Sequence, residues 1–364
     1  MVRGFSSELA ALAEELAEQW NSDQADTVAL IAEFAADLPG ASAAEIVELR
    51  PGRLVVTANT QGGRHRGAVE FAQEAASIEE LQGSLMALLG TAREKAGDRV
   101  GQTAIEREIA RTRTLPTYIT KVVRTRSISP VIREITLGEG LADFASIGPD
   151  QFVYVLAEKP GQKDIIRPGM TMAELLAADP ARRPAAAYYT VRRHRPESGE
   201  LDLWFVLHDH APGMSGWAQR ARPGDSAACW GPRSSLEIPK ATRKLLLLGD
   251  ETALPAICAI LESSDIAAHT VIETIDKDHR IEISTRSDVT VDWVFRGTAN
   301  AAESTQLLEG AQRACPDWQP GMYAFGAAEA TPTREIRRYL RQIGAGPRDL
   351  KLVPYGNSKR TLNQ

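Results

Sequence analysis

Two short segments carry side chains that could do chemistry together, Ala187-Tyr188-Tyr189-Thr190-Val191-Arg192 and Gly249-Asp250-Glu251-Thr252-Ala253-Leu254-Pro255-Ala256. In the first, Tyr189 offers a ring for stacking, Thr190 a hydroxyl and Arg192 a guanidinium. These are the types that hold a planar cofactor carrying a pyrophosphate. Period two sends Tyr188, Thr190 and Arg192 to one face of a strand and Tyr189 and Val191 to the other, so the three share a side only if the strand bends. The second segment follows the apolar run Leu245-Leu246-Leu247-Leu248. It therefore falls at the carboxyl edge of a buried strand, where open α/β sheets bind ligands. Asp250, Thr252 and Ala253 are the candidate contacts there, although a glycine turn with Asp250 capping the next helix would give the same spacing.

A third candidate is the stretch from Val206 to Ala218, a strand that ends in Pro212-Gly213 before a helix start. The amides of Gly213, Met214 and Ser215 could meet a phosphate, with His208 and Trp217 beside them. His208-x-His210 would also set two imidazoles on one strand face. With no cysteine nearby and only Asp209 as carboxylate, no metal site is expected. Neither Gly-x-Gly-x-x-Gly nor a Walker sequence occurs, and no Ser/His/Asp order stands out, so no catalytic side chain is assigned. The three cysteines, Cys229, Cys258 and Cys315, are far apart and form no Cys-x-x-Cys pair. A disulfide framework, a zinc site and an iron-sulfur cluster are thereby excluded, and any redox centre must be a bound cofactor.

The elements that position these residues divide the 364-residue chain into several domains. Leu9, Leu12, Leu16 and Trp20, then Val28, Ile31, Phe34 and Leu38, mark two amphipathic helices. Leu54-Val55-Val56-Thr57 and Gly67 to Phe71 read as strands around the turn Gln61-Gly62-Gly63, and Ser77-Ile78-Glu79-Glu80 as a capping box before a helix with Leu81, Leu85 and Leu88. This gives an α+β accessory domain over 1–98, followed by a helical connector over 99–114. Strand runs at 118–123, 131–137, 152–156, 187–192, 201–207 and 226–230 predict an antiparallel β-barrel over 115–238. Alternating strands and helices predict a parallel-sheet α/β domain over 239–364. The composition, 43% hydrophobic and 25% charged with a net charge of -6, is that of ordinary globular domains and gives no general attraction to nucleic acid. With no apolar stretch of signal or membrane-span character, a cytoplasmic protein is expected.

Barrel followed by doubly wound half is the plan of ferredoxin-reductase-like enzymes, and residues 115–356 resemble the siderophore-interacting proteins, flavin-dependent ferric-siderophore reductases. The resemblance rests on Tyr189-Thr190-Val191-Arg192, His208 with Pro212-Gly213 and Trp217-Ala218, Pro223-Gly224-Asp225 before Gly231-Pro232, Gly249 through Ala256, and Arg296-Gly297 after Trp293. It implies FAD on the barrel, NAD(P)H as hydride donor, a ferric siderophore or other iron chelate as substrate, and release of Fe(II). It further implies Tyr189 and Thr190 at the isoalloxazine and ribityl side, Arg192 and the amides of 213–215 at the pyrophosphate, and Asp250, Thr252 and Ala253 near flavin and nicotinamide. A ferredoxin could replace NADH or NADPH as the partner that supplies electrons.

The chain departs from the family at three places. Ala187 stands where the family has an arginine, a loss of about 2 kcal/mol if that charge-assisted contact is not replaced by Arg182, Arg183 or Arg193. Tyr355-Gly356-Asn357-Ser358 replaces Gly-Tyr-Trp-Arg, and Gly326-Ala327-Ala328-Glu329 replaces Ala-Gly-Glu. Residues 1–98 resemble the small domain accompanying haem-utilisation proteins, around Gln19 to Asp26, but with glutamines at 19 and 24 in place of histidines. Two alternatives follow: a diverged, flavin-free scaffold holding another ligand in the barrel cleft, and a haem-linked reductase. Arg192, Arg193, Lys359 and Arg360 would form a steering patch for an anionic chelate, while Arg334, Arg337, Arg338 and Arg341 read as the solvated face of the last helix.

Overall fold

The structure, a computed structural model, describes residues 7–162, 164–177, 179, 182–208, 213–283 and 288–356. The chain separates into two compact units, 1–114 and 115–364. In the first, helices α1 (Ser7–Asp23), α2 (Ala25–Phe34), α3 (Ile78–Ala96) and α4 (Ala104–Arg113) accompany the strands β1 (Ser42–Arg50), β2 (Arg53–Thr60) and β3 (Gly63–Glu70). The antiparallel sheet runs β1-β2-β3. Its inward face, with Leu54 and Val56, meets Leu16, Trp20, Val28, Ile31, Leu81 and Leu85 from the helices. The strand β1 escapes a sequence reading because register shifts at 42/45 and 46/48 break its alternation. The α3 start is close to the expected capping box: Ser77 Oγ accepts the Glu80 N–H at 3.2 Å, while the Glu80 carboxylate takes the Ala76 N–H at 2.7 Å.

The second unit opens with β4 (Thr117–Ser129), β5 (Ile132–Gly138), β6 (Phe152–Ala157), the short helix α5 (Met172–Ala177), β7 (Ala185–Arg195), β8 (Glu200–Val206), α6 (Gly213–Arg220) and β9 (Ser226–Arg233). The strands close a barrel in the order β4-β5-β8-β7-β6-β9. Closure leaves no free edge, and the interior fills with Val122, Leu137, Val153, Leu203 and Phe205, stoppered by Met214 and Trp217 of α6. Then follow β10 (Lys244–Gly249), α7 (Leu254–Ser263), β11 (Ala267–Thr274), β12 (Val289–Phe295), α8 (Gln306–Ala314), β13 (Met322–Glu329), α9 (Ala330–Gln342) and β14 (Leu350–Gly356). These strands form a parallel sheet ordered β12-β11-β10-β13-β14. Its central strand is apolar from Leu245 to Leu248 because helices cover both faces: Leu245 and Leu247 pack with Ile257 and Phe325, and Leu246 and Leu248 with Val271 and Leu340.

The arginines of α9 are not merely solvated. Arg337 donates to the Leu352 carbonyl at 2.5 Å, which ties α9 to the last strand, and Arg341 donates to the Ala345 carbonyl at 2.8 Å just beyond the helix end. Among the described residues no helix is long and apolar enough to cross a membrane.

Within the first unit, α4 is fastened to α3 by Arg93, which donates to both Glu106 oxygens at 2.7 and 2.6 Å. These bonds lower the Glu106 pKa from 4.5 to about 2. A depressed acid stabilises the fold above its unfolded pKa, and the contribution is lost as pH falls through the folded value. The melting temperature should therefore fall between about pH 4.5 and 2. In Glu106→Gln the fall over that window should be shallower, as followed by circular dichroism.

Candidate functional site

In β7 the side chains of Tyr189 and Thr190 turn to opposite faces, and the ladder to β8 shifts register between Val191 and Arg193. Tyr189 turns into the barrel and stacks on Phe205, with ring centroids 4.0 Å apart. Burial of its phenol pushes the pKa far up. Thr190 points the other way and is buried, in hydrogen-bonding contact with the hydroxyl of Tyr355 near the end of β14. Tyr355 is 38% exposed as a residue, and burial of its phenol, with the Asp150 charge acting in the same direction, raises its pKa to about 12.

That contact places the outer face of β7 at the carboxyl edge of the parallel sheet. Gly249 of β10 is level with Ala327 of β13, and Ala327 is level with Val353 of β14. Two strand spacings, about 10 Å, therefore separate the Gly249 level from β14, and Tyr355 lies just beyond.

Arg192 is engaged through both terminal nitrogens, while its buried Nε has no hydrogen-bond partner. Its guanidinium grips Glu262 near the end of α7, with Nη1 to Oε2 at 2.9 Å and a second, shorter contact from Nη2 to Oε1. It also lies 5.2 Å over the Trp204 ring. The Arg192 bonds hold the Glu262 carboxyl below its ordinary range. Arg192 thus joins the barrel to the helix that begins right after the Gly249–Ala253 turn, and its charge is already neutralised. Arg193 lies 3.7 Å from the same carboxylate. The rest of the expected steering patch, Lys359 and Arg360, lies outside the described residues.

At the third candidate segment, Gly213 begins α6 with a φ of +73°, and a Cβ there would meet nothing within 4 Å. The first amides of a helix have no partner inside it, so this end is suited to an anion. Ser215 Oγ accepts the His208 N–H at 2.9 Å, and Gln219 Nε2 donates to the His208 carbonyl at 2.8 Å, so both side chains secure the approach to the helix. Met214 and Trp217 are buried in the barrel core, which leaves only their backbone for a ligand. Asp209, His210, Ala211 and Pro212 lie outside the described residues. Among the described residues no group of His, Cys, Asp and Glu could hold a metal.

The Gly249–Ala253 turn is built too tightly for another first residue, since a Cβ on Gly249 would come 2.2 Å from that of Ala253. Asp250 is buried and its Oδ1 accepts both the Thr252 N–H, at 2.8 Å, and the Thr252 hydroxyl. It is not the cap of α7, whose N-cap is Ala253 with no side-chain bond. Burial raises the Asp250 pKa to about 7, and the neighbouring Glu251 pushes in the same direction.

A network around this turn was not singled out from the sequence. Arg296 pairs with Glu251 at 2.9 Å and lies 3.7 Å from Glu273. Thr274 donates to Glu251, and Ser304 and the Leu307 amide donate to Glu273. Only Arg296 could have been flagged, through the Arg296-Gly297 segment. The partners come from four separate stretches of chain.

With this geometry in place, comparison with known proteins is informative. Residues 121–236 match the siderophore-interacting FAD-binding domain, and residues 242–358 match the siderophore-interacting protein. The region 121–358 thus carries both domains of the siderophore-interacting protein family. Both matches lie within the second unit. The ferric vibriobactin reductase ViuB of Vibrio cholerae is 30% identical over 179 residues, 48% of this chain and 66% of ViuB. The NADPH-dependent ferric-chelate reductase of Escherichia coli (strain K12) is 33% identical over 146 residues, 39% of this chain and 55% of that protein. The chain thus spans just under two-thirds of ViuB and about half of the E. coli relative.

Among solved structures, a siderophore utilization protein from T. fusca superposes with a TM-score of 0.59 at 26% identity, covering 67% of this chain and 94% of that one. The siderophore-interacting protein SipS from Aeromonas hydrophila gives 0.57 at 26%, covering 68% and 94%. The ferredoxin reductase of carbazole 1,9a-dioxygenase, at 0.50 and 15% identity over 66% and 70%, shows the ferredoxin-reductase-like fold.

Two outcomes follow for the turn. Gly249→Ala should cost roughly 1–3 kcal/mol, since the added methyl forces the Asp250–Ala253 backbone to move, and chemical denaturation reads this directly. Because Asp250 holds its proton more tightly folded than unfolded, its contribution is greatest below pH 3.8 and fades as pH rises through about 7. Asp250→Asn should flatten that part of the stability profile.

Proposed function

We propose that this chain is a cytoplasmic FAD-dependent NAD(P)H:ferric-siderophore reductase that frees iron as Fe(II). The observation that carries the reading is the meeting of Thr190, on the outer face of the barrel, with Tyr355 at the carboxyl edge of the parallel sheet. A flavin held there would have a barrel strand on one side and a nucleotide-binding edge on the other. The names of the V. cholerae and E. coli relatives support the substrate class and the nicotinamide donor.

The residues fit the cofactor in kind. The open space at Gly213 and the first-turn amides of α6 suit a pyrophosphate. Thr190 offers a hydroxyl to the ring edge, while Tyr189, held on Phe205 inside the barrel, braces the strand from behind. Bound FAD would supply the passage from two-electron donor to one-electron iron chemistry. Around it, Tyr355 shields Thr190 from water, and the Asp250–Ala253 turn offers a site for the nicotinamide. Asp250, poised near neutrality, holds or yields a proton at that edge without leaving its bonds to Thr252. The Glu251–Arg296–Glu273 network fixes the turn from beneath.

One observation favours a second reading. Ala187 packs against the barrel core at the position where the family carries an arginine. A flavin-free scaffold is the form this loss would take if no other cation serves the phosphate. For the first unit a structural or docking role fits best, since Gln19 and Gln24 offer no imidazole to haem.

Purified protein should show the two-band spectrum of oxidised flavin, or acquire it on titration with FAD. With NAD(P)H and a ferric siderophore it should release about two Fe(II), trapped by a colorimetric chelator, per donor oxidised. A colourless protein that ignores FAD would defeat the reductase reading in favour of the flavin-free one.

A further inference from the structure

The carboxyl edge of the parallel sheet holds three acids around one cation. Asp250 and Glu251 follow β10, Glu273 lies near the end of β11, and Arg296 comes directly after β12. Asp250 and Glu251 are each 4% exposed and Glu273 2%, and the Arg296 side chain is 11% exposed. Arg296 meets both Glu251 oxygens, Nη1 to Oε2 and Nη2 to Oε1, each at 2.9 Å, but comes only within 3.7 Å of Glu273. The Thr274 hydroxyl adds a further bond to Glu251, and Glu273 accepts from the Ser304 hydroxyl at 2.7 Å and the Leu307 amide at 3.1 Å.

Three ionised carboxylates against one guanidinium would leave two negative charges in a space almost closed to water, and burial and like charge both favour a retained proton. The bonding decides which acid keeps it. Glu251 is paired through both oxygens and Glu273 is held by a hydroxyl and an amide, whereas the bonds to Asp250, from the Thr252 amide and hydroxyl, both fall on Oδ1. Facing Asp250 are Glu251 beside it and Arg296 from the end of β12. The helix α7 opens without charge on Leu254-Pro255-Ala256-Ile257, and β13 ends in Glu329, level with Gly356. Burial and the Glu251 charge raise the Asp250 pKa to about 7, with the Thr252 bonds and Arg296 acting against them.

We propose that Arg296 is a positioning residue for the electron donor: by claiming Glu251 it leaves the proton of the cluster on Asp250, so that the sheet edge meets the negatively charged nicotinamide nucleotide with a neutral acid. The inference rests on the reductase reading for its ligand and adds the group that governs when that ligand is accepted. A neutral carboxyl does not repel the diphosphate, and its O–H can donate to the carboxamide oxygen of the nicotinamide. Once ionised, Asp250 adds its charge to the acids behind it and repels the ligand. Binding therefore favours the protonated form, and affinity falls as pH rises through the Asp250 value.

The test uses the full-length protein loaded with FAD, with the binding of NAD+ and NADP+ followed by titration calorimetry between about pH 5.5 and 8.5. The wild type should bind its preferred nucleotide roughly three- to tenfold more weakly at the upper end, with a midpoint near pH 7. Asp250→Asn should lose this dependence and keep only the titration of the nucleotide's own phosphate. Arg296→Gln should move the midpoint upward by about one pH unit, because the positive charge that favours ionised acids is gone, while Arg296→Lys should keep it near the wild-type value. A merely structural Arg296 would change affinity at every pH and leave the midpoint in place. An unmoved midpoint in Arg296→Gln, or the wild-type slope retained in Asp250→Asn, would overturn the proposal, as would a wild type that binds neither nucleotide. Should Arg296→Gln not fold, Glu251→Gln decides, since loss of the neighbouring negative charge should lower the midpoint by a similar amount. The flavin spectrum of the same samples reports separately on the reductase reading: a yellow protein whose nucleotide affinity ignores pH keeps that reading and loses this one.

Discussion

The clamp between Arg192 and Glu262 makes one surface of two folding layers. Its guanidinium is almost wholly enclosed, with a side chain 10% exposed, and meets both carboxylate oxygens while lying over Trp204. A charge buried to this degree is stabilised only when paired, so removing Glu262 leaves the enclosed guanidinium uncompensated. Arg192 sits two residues beyond Thr190, and Glu262 lies near the end of the helix whose start is the Asp250–Ala253 turn. The helix rises about 15 Å over its length. The clamp therefore sets how far along the barrel strand the sheet edge comes to rest.

The other elements of the site depend on that placement. Tyr355 meets Thr190 only because β14 stands beside β13 at the level set by β10. The Asp250 turn keeps its shape because Gly249 has no Cβ and because Arg296 neutralises Glu251 directly below it. Asp250 itself has Thr252 as its hydrogen-bond partner, with the Arg296 charge farther away, and so holds its proton to about neutral pH. A buried acid poised in this way at a ligand-binding edge is a common mark of function.

Much of this could be seen in the sequence. The run Leu245–Leu248 announced a strand covered on both faces, and Tyr189 and Val191 turn into the barrel core as period two requires, with a register shift in the ladder just beyond, between Val191 and Arg193. The strand β1 was hidden by its register shifts. The role of Arg192 was hidden for a different reason. A guanidinium beside an aromatic strand suits a pyrophosphate and a carboxylate equally, and only the fold brings Glu262, seventy residues later, into reach. The same holds for Met214 and Trp217, which follow a promising Pro-Gly turn but are claimed by the barrel core. Pairings distant in sequence, not local propensities, account for what could not be read.

The central proposal is that the outer face of β7, the start of α6 and the end of β14 hold one flavin, whose ring lies against the Gly249–Ala253 turn where the nicotinamide would enter. Hydrogen exchange read by mass spectrometry with and without saturating FAD tests this most directly. The account predicts slowed exchange in peptides covering 186–192, 213–217, 249–254 and 352–356, with the outer strands of the first unit unchanged. Protection confined to one of these segments, or found chiefly in the first unit, would contradict it.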